Sequence, residues 1–397
     1  DATFVVDRLP RAARLLQTVA RVTRFLAQPR AWIGRAPHMI ASTFLRRALR
    51  TKRIPRSIDA TGWTFLCASK AKEDLTGLSK KYGINIAFFD GRGGPPARGG
   101  GNTHEFYASM GKKIQADDIQ LTIQGQTISS NFGTNDSRQY NLEQLLSSGI
   151  HNQVFNSERN VLSDEDRQTM DQLASESHET YQQFKAHPEF LPYLEEMTTL
   201  KYYAKANIGS RPSKRGSSKK LDFSDLRAIP FVGSWSQSKQ NVPGFYGVGT
   251  ALKSFDQNGR FDKVIQLYQQ SSFFRTLIAN SMMSLTKSFF GLTAYMQNDK
   301  RFGDFWNLIH QEYSLTKEMI LKLTGFEELM ENEPAGKASI KIREEIVQPL
   351  LTIQQYALMT ILNSKDLESM DESTKELYEK MVTRSLFGNI NASRNSA

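Results

Sequence analysis

The chain has a single cysteine, Cys67, among its 397 residues. A disulfide framework is therefore excluded, and the composition fits a reducing compartment, for which we expect the cytoplasm. No run of apolar residues approaches the roughly 18 that a membrane helix needs, so we expect no membrane partner. With 39% apolar and 23% charged residues, the chain is able to form a sizeable folded core.

Acidic residues are scarce at one end of the chain, where no glutamate precedes Glu73. Residues 1–60 hold 12 Arg and one Lys against three Asp, a net charge of +10 that equals the net charge of the whole chain. The remainder is neutral overall. A basic isoelectric point therefore gives no general reason to expect a nucleic-acid partner for the chain beyond residue 60.

Several common site motifs are also missing. There is no Cys/His spacing typical of zinc sites, no G-x-x-x-x-G-K-[ST] loop, and no G-x-G-x-x-G opening a helix. Structural zinc, a P-loop nucleotide site and a dinucleotide fold are thus not indicated.

Beyond residue 69 the pattern is that of an α/β protein followed by helices. Apolar spacing predicts a helix over Lys70–Tyr82, and Ser163 is expected to open another helix. Long amphipathic helices are expected from Ala251 to about residue 385. Short apolar runs predict three buried strands, at Ile84–Phe89, Ile119–Gln124 and Ile229–Trp235.

A glycine-rich stretch, "FFDGRGGPPARGGG" (Phe88–Gly101), follows the first predicted strand and carries Arg92 and Arg98. Glycine lets backbone N–H groups approach an anion, and arginine offers paired donors that match phosphate and carboxylate. Because the loop leaves a strand end, where α/β proteins place ligands, we interpret it as an anion-binding loop. The alternative is a structural turn with exposed arginines, or an Arg/Gly-rich arm of a non-enzymatic nucleic-acid-binding protein.

A second basic group is formed by Arg211, Lys214, Arg215 and Arg227. A solvated loop is the simplest interpretation of such a run. Arg227 argues against it, because it directly precedes a buried segment where a charge needs a partner.

These pieces, in this order, resemble the C-terminal half of phosphoenolpyruvate carboxylase. "FDGRGGPPARGGG" is similar to that family's F-H-G-R-G-G-x-x-x-R-G-G loop. "NIGSRPSKR" is similar to its G-S-R-P-x-[KR]-R segment, and "LRAIPFVGSWSQ" to its L-R-A-I-P-W-x-x-x-W-[TS]-Q segment. The terminal "RNSA" resembles R-N-T-G, and the likeness covers roughly residues 70–397.

The resemblance implies an α/β barrel (TIM-barrel-like) with many additional helices, assembled as a homotetramer. This chain would be mainly α, with part of the catalytic barrel in residues 70–250 and a helical region with an inhibitor site in residues 251–397. The implied reaction carboxylates phosphoenolpyruvate with bicarbonate, through carboxyphosphate and enolpyruvate, to oxaloacetate that replenishes the tricarboxylic acid cycle. The implied cofactor is Mg2+ or Mn2+.

The resemblance also assigns roles to residues. Arg92, Arg98, Arg211 and Arg227 would be catalytic, and Lys214 and Arg215 would lie on a mobile loop that closes over the site. Inhibition by aspartate or malate would use Arg98, Lys287, Arg343 and Asn395.

Two departures from the family pattern stand out. Asp90 occupies the position of the family's loop histidine, where a carboxylate would pair with Arg92. Residues 1–69 contain neither P-L-F-E-T nor S-D-S-x-K-D-x-G, the segments that supply the family's metal-binding Glu and Asp and a catalytic lysine. We therefore expect no metal ligands in this chain, and no turnover by it alone.

Three explanations of the Arg-rich residues 1–69 remain open. They are a frame-shifted translation, which we favour, a transit peptide, and a nucleic-acid-binding arm.

Overall fold

The computed structural model of the chain describes residues 61–81, 86–90, 103–110, 113–114, 119–121, 128, 132–150, 162–205, 221–223, 226, 228–367 and 370–393. Most of them are helical, which confirms the prediction of a mainly α chain. The α-helices are α1 (Thr61–Lys81), α2 (Thr103–Ala108), α3 (Asn135–Ile150), α4 (Asp164–Ala186), α5 (Phe190–Glu196), α6 (Ala228–Gln237), α7 (Val248–Gln257), α8 (Phe261–Gln270), α9 (Ser272–Thr286), α10 (Gly303–Thr324), α11 (Pro334–Leu367) and α12 (Glu372–Ser393). Short 3-10 helices lie at Leu200–Lys205, Val242–Gly244 and Phe290–Asn298. Within these ranges, every helix is too short or too polar to span a membrane.

Two short strands, β1 (Phe88–Asp90) and β2 (Ile119–Leu121), pair in parallel. Phe88 lies opposite Ile119, and Asp90 opposite Leu121. Parallel neighbours require a crossover connection, and α2 lies in that connection. Both strands fall mainly within predicted strands, although they are shorter. In the part of the chain that the structure describes they form the only sheet, so a closed barrel is not seen there.

Helix α1 begins earlier than predicted, at Thr61 rather than near Lys70. It runs without interruption across the boundary expected at residue 69, and Leu66 from its first half is buried in the helical core. The helix ends at Lys81, one residue before the predicted end at Tyr82.

The prediction of a third strand at Ile229–Trp235 is wrong, because these residues lie in helix α6. Phe231 and Trp235, one helical turn apart, are fully buried. A short apolar run that is buried on all sides shows neither a helical nor a strand period, so the two structures look alike in sequence. Pro230 is compatible with this position, because its ring is tolerated in the first turn of a helix.

An aromatic core surrounds α6. The Trp235 ring lies 6.0 Å from Tyr193, 6.1 Å from Phe190 and 6.4 Å from Phe184, measured between ring centroids. Gly233 permits a close approach on another side, since a Cβ there would lie 2.0 Å from the hydroxyl oxygen of Tyr203. Helix α6 is therefore held in place by large, rigid side chains.

The helices predicted after Ala251 are confirmed, and so is the helix start at Ser163. The Ser163 Oγ accepts a hydrogen bond from the Asp166 N–H at 3.0 Å, and the Asp166 carboxylate accepts one from the Ser163 N–H at 3.2 Å. This reciprocal arrangement is a capping box.

Helix α7 is capped by a side chain from another helix. Gly247 precedes α7 with φ of 91°, a conformation that favours glycine. The buried Glu312 of α10 accepts hydrogen bonds from the N–H groups of Gly247 (3.0 Å) and Thr250 (3.2 Å), and from the Thr250 hydroxyl (2.6 Å). Burial raises the pKa of Glu312, and these hydrogen bonds oppose the shift. The Glu312 carboxylate thus links α10 to α7, because it accepts hydrogen bonds from N–H groups at the start of α7 that would otherwise lack an acceptor.

We expect Glu312→Ala to lower the free energy of unfolding by about 3 kcal/mol or more, because it leaves two buried N–H groups without an acceptor. Thermal and chemical unfolding of the purified chain measure this change. The matched control is Glu318→Ala, an exposed position on the same helix, which should unfold like the parent chain. Equal effects of the two substitutions would contradict the capping role.

Candidate anion-binding site

Most of the residues that the sequence predicts for the site lie outside the described residues. These are Arg92, Arg98, Arg211, Lys214, Arg215, Arg227 and Asn395. Lys287 and Arg343, the two remaining members of the expected inhibitor site, are described. Their surroundings provide the structural test of a functional site.

The elements that carry the Gly/Arg loop are described on both sides of it. The loop begins directly after β1 and ends before α2. Phe88 of β1 and Phe106 of α2 are both buried. The buried Lys72 of α1 places its amino group 5.6 Å and 5.8 Å from their ring centroids. In the sequence, the loop therefore follows the carboxyl end of a parallel strand, and Phe88 and Phe106, on either side of it, belong to one buried cluster.

Lys287 and Arg343 come together near a second lysine and a glutamate. We call Lys239, Lys287, Arg343 and Glu344 the anion cluster. Lys287 follows the last residue of α9, where a cation interacts favourably with the helix dipole. Arg343 and Glu344 are neighbours on α11, and Lys239 follows the end of α6. Lys287 interacts electrostatically with each of the other three members.

Backbone hydrogen bonds join the segments that bear the two lysines. The Phe289 N–H donates to the Lys239 carbonyl at 2.8 Å, and the Ser288 hydroxyl donates to the Gln240 carbonyl at 3.2 Å. Lys239 and Asn241 have φ of 54° and 44°, in the left-handed region that residues other than glycine seldom occupy. Such strain persists only where the surrounding structure imposes it, and it is common at functional sites.

One ion pair is formed within the anion cluster. The Lys239 Nζ lies 2.5 Å from the Glu344 Oε2, and only 8% of the Lys239 side chain is exposed. Burial lowers the pKa of Lys239, and the charge and hydrogen bond of Glu344 oppose that shift.

The other two cations of the cluster lack such a partner. Among the described residues, neither Lys287 nor Arg343 makes a salt bridge, and the buried Arg343 Nη1 has no hydrogen-bond acceptor. Burial, together with Lys239 and Arg343, lowers the pKa of Lys287 to about 7, although Glu344 acts in the opposite direction. Burial also lowers the pKa of Arg343. Three cations face one carboxylate, and a buried charge of this kind calls for an anion.

Sequence reasoning missed Lys239 and Glu344. In the sequence, Lys239 lies in an unremarkable polar stretch after α6, and Glu344 is one of two adjacent glutamates on an amphipathic helix. The available signal was position: Lys239 follows a buried segment directly, as Arg227 precedes it.

A family model described as phosphoenolpyruvate carboxylase matches residues 61–393. The chain belongs to the phosphoenolpyruvate carboxylase family. The match begins ahead of residue 70, where the recognisable motifs begin, and includes the whole of α1. Membership supports carboxy-lyase activity on phosphoenolpyruvate and bicarbonate.

Members of this family generally use a divalent metal ion. Across the described ranges, no three His, Cys, Asp or Glu side chains gather as metal ligands. The described residues thus offer no set of side chains that fits the metal.

We expect Lys287→Met to raise the Tm of the chain at pH 7 by a few degrees. The folded pKa of about 7 lies below the ordinary lysine value of 10.5. Between these values the unfolded chain holds a proton that the folded chain releases, so the penalty that Lys287 places on folding is largest at low pH and shrinks as the pH rises. The gain from Lys287→Met should therefore shrink as the pH approaches 10.5. Scanning calorimetry at several pH values measures it.

Lys317→Met, at an exposed position on α10, is the matched control and should leave the Tm unchanged. A lower Tm for Lys287→Met at pH 7 would show that Lys287 stabilises the ligand-free fold.

Proposed function

We propose that this chain supplies the arginine-bearing part of a phosphoenolpyruvate carboxylase, which converts phosphoenolpyruvate and bicarbonate to oxaloacetate and phosphate. The observation that carries the proposal is the family match over residues 61–393. The position of the Gly/Arg loop at the carboxyl end of β1 supports it, because ligands of α/β proteins bind at that end.

The chemistry explains the number of arginines. Bicarbonate oxygen attacks the phosphorus, which breaks the bond to the enol oxygen and gives carboxyphosphate and the enolate of pyruvate. Carboxyphosphate then loses phosphate to give CO2, and the enolate carbon adds to CO2. Each step involves anions, so fixed cations around them lower the barrier. In this proposal Arg92 and Arg98 bind on the loop side, and Arg211 and Arg227 on the phosphate and bicarbonate side.

Lys214 and Arg215 complete the proposed site as a closing segment. Closure would exclude water, which otherwise hydrolyses carboxyphosphate and protonates the enolate. When bound, a divalent metal would supply a Lewis acid for the enolate oxygen.

The proposed architecture is a barrel portion in residues 70–250 and a helical, regulatory portion in residues 251–397. The parallel pair of β1 and β2 supports the barrel portion, since barrel strands are parallel.

Exposed apolar side chains on α11 support the proposed homotetramer, because such a stripe is suited to covering by another subunit. They are Ile342, Ile346, Ile353 and Tyr356.

The anion cluster supports inhibition by a dicarboxylate such as aspartate or malate. In this proposal Lys287 and Arg343 bind the inhibitor together with Arg98 and Asn395. Arg98 would then belong to both sites, so an occupied inhibitor site withdraws an arginine from the reacting groups.

Phosphoenolpyruvate is expected to raise the Tm of the chain, and Arg211→Ala should reduce that shift severely, because a charge-assisted phosphate contact is lost. Arg384→Ala, at an exposed position on α12, is the matched control and should keep the shift. Thermal unfolding with and without phosphoenolpyruvate measures both. No shift in any variant, together with RNA binding that weakens steeply with salt, would favour the nucleic-acid-binding alternative.

Activity is tested by oxaloacetate formation, coupled to malate dehydrogenase, with bicarbonate and Mg2+. Residues 1–69 hold neither of the family's metal-binding segments, so we expect phosphoenolpyruvate binding without turnover. Measurable turnover would show that other acidic residues of the chain hold the metal.

Aspartate binding is expected to weaken by about tenfold for each pH unit above the pKa of Lys287, because binding then requires uptake of one proton. That pKa is about 7, set by burial, Lys239 and Arg343 against Glu344. Calorimetric titrations below and above it measure the affinity. Lys287→Arg keeps its charge throughout and should bind with little pH dependence. Equal pH dependence of the two proteins would contradict a role for Lys287.

A further inference from the structure

The anion cluster contains a carboxylate that competes with a ligand carboxylate for the same cations. Glu344 is a carboxylate next to Arg343 on α11, and it acts electrostatically on Lys287. A ligand carboxylate would need the same two cations. The site therefore binds an external anion only if Glu344 is engaged elsewhere.

Lys239 is the group that engages it. The Lys239 Nζ and the Glu344 Oε2 are 2.5 Å apart, and the described residues offer Glu344 no other salt bridge. Lys239 is buried, and its backbone is fixed by the left-handed conformation and by the hydrogen bond from the Phe289 N–H. Its side chain is consequently a fixed partner for Glu344, unlike a lysine on the surface.

We propose that Lys239 is a positioning residue that holds Glu344 away from Lys287 and Arg343, and so keeps these two cations open to a ligand carboxylate. The ligand class is a small anion with at least one carboxylate. The inference rests on the proposed inhibitor site. It adds Lys239, which determines whether the cations of that site can bind a ligand or are paired with Glu344.

The consequence of removing Lys239 follows from charge alone. Without Lys239, Glu344 would be an unpaired, largely buried carboxylate, which is unfavourable. Lys287, on which Glu344 already acts electrostatically, would then be the cation left for it to pair with. Glu344 would then take the place that a ligand carboxylate needs.

The test is a double-mutant cycle with Lys239→Met, Glu344→Gln and the combined variant, with L-aspartate as the probe in calorimetric titration. Lys239→Met should weaken aspartate binding on the order of tenfold or more. Glu344→Gln should bind at least as well as the parent chain. The combined variant should recover the parent affinity, because the competing carboxylate is gone.

A second measurement does not depend on a ligand. The pKa of Lys287 is measured by its rate of acetylation as a function of pH, with mass spectrometry of the labelled peptide. In Lys239→Met this pKa should rise towards the ordinary lysine value, and in the combined variant it should fall again. A change in folding alone would not produce this rise and return, and the Tm of each variant is recorded beside it.

The outcomes are distinct. If aspartate does not bind the parent chain, the proposed inhibitor site fails, and the pKa of Lys287 still decides the role of Lys239. If the combined variant binds as weakly as Lys239→Met, Lys239 contacts the ligand directly and the positioning role is overturned. An unchanged affinity and an unchanged pKa of Lys287 in Lys239→Met overturn it as well.

Discussion

The burial of helix α6 is the constraint on which the position of the Lys239 turn depends. Phe231 and Trp235 are enclosed by aromatic rings, and Gly233 lies directly against Tyr203. At the end of the helix, the Gln237 Oε1 accepts hydrogen bonds from Gln354 of α11 and Asn389 of α12, both at 3.1 Å. A helix of this length spans about 15 Å. It connects the aromatic core to the turn at Lys239.

In the sequence, α6 lies between Arg227, of the proposed catalytic site, and Lys239, of the anion cluster. Arg227 immediately precedes the helix, and Lys239 follows it after one residue, Ser238. The strained turn at Lys239 and Asn241 is also bonded to the segment that carries Lys287. The anion cluster is consequently assembled from the residues that follow α6 and α9 and from α11.

The sequence was sufficient for features that local chemistry determines. Ser163 with Asp166 defines a helix start, and the apolar run that ends at Phe89 contains most of strand β1. It was insufficient at Ile229–Trp235, where complete burial removes the periodicity that distinguishes a helix from a strand. It identifies Lys287 and Arg343 as candidates only through family resemblance. No local pattern places Lys239 beside Glu344, because residues more than a hundred positions apart meet only through tertiary packing.

Lys287 has a practical consequence for attempts to engineer this protein. A lysine whose pKa is about 7 because it is buried among cations lowers the stability of the empty fold. A selection for thermostability would therefore favour its replacement by an apolar residue. If Lys287 binds the proposed inhibitor, the same variants would also lose that inhibition, so a gain in thermostability and a loss of regulation would follow from one substitution.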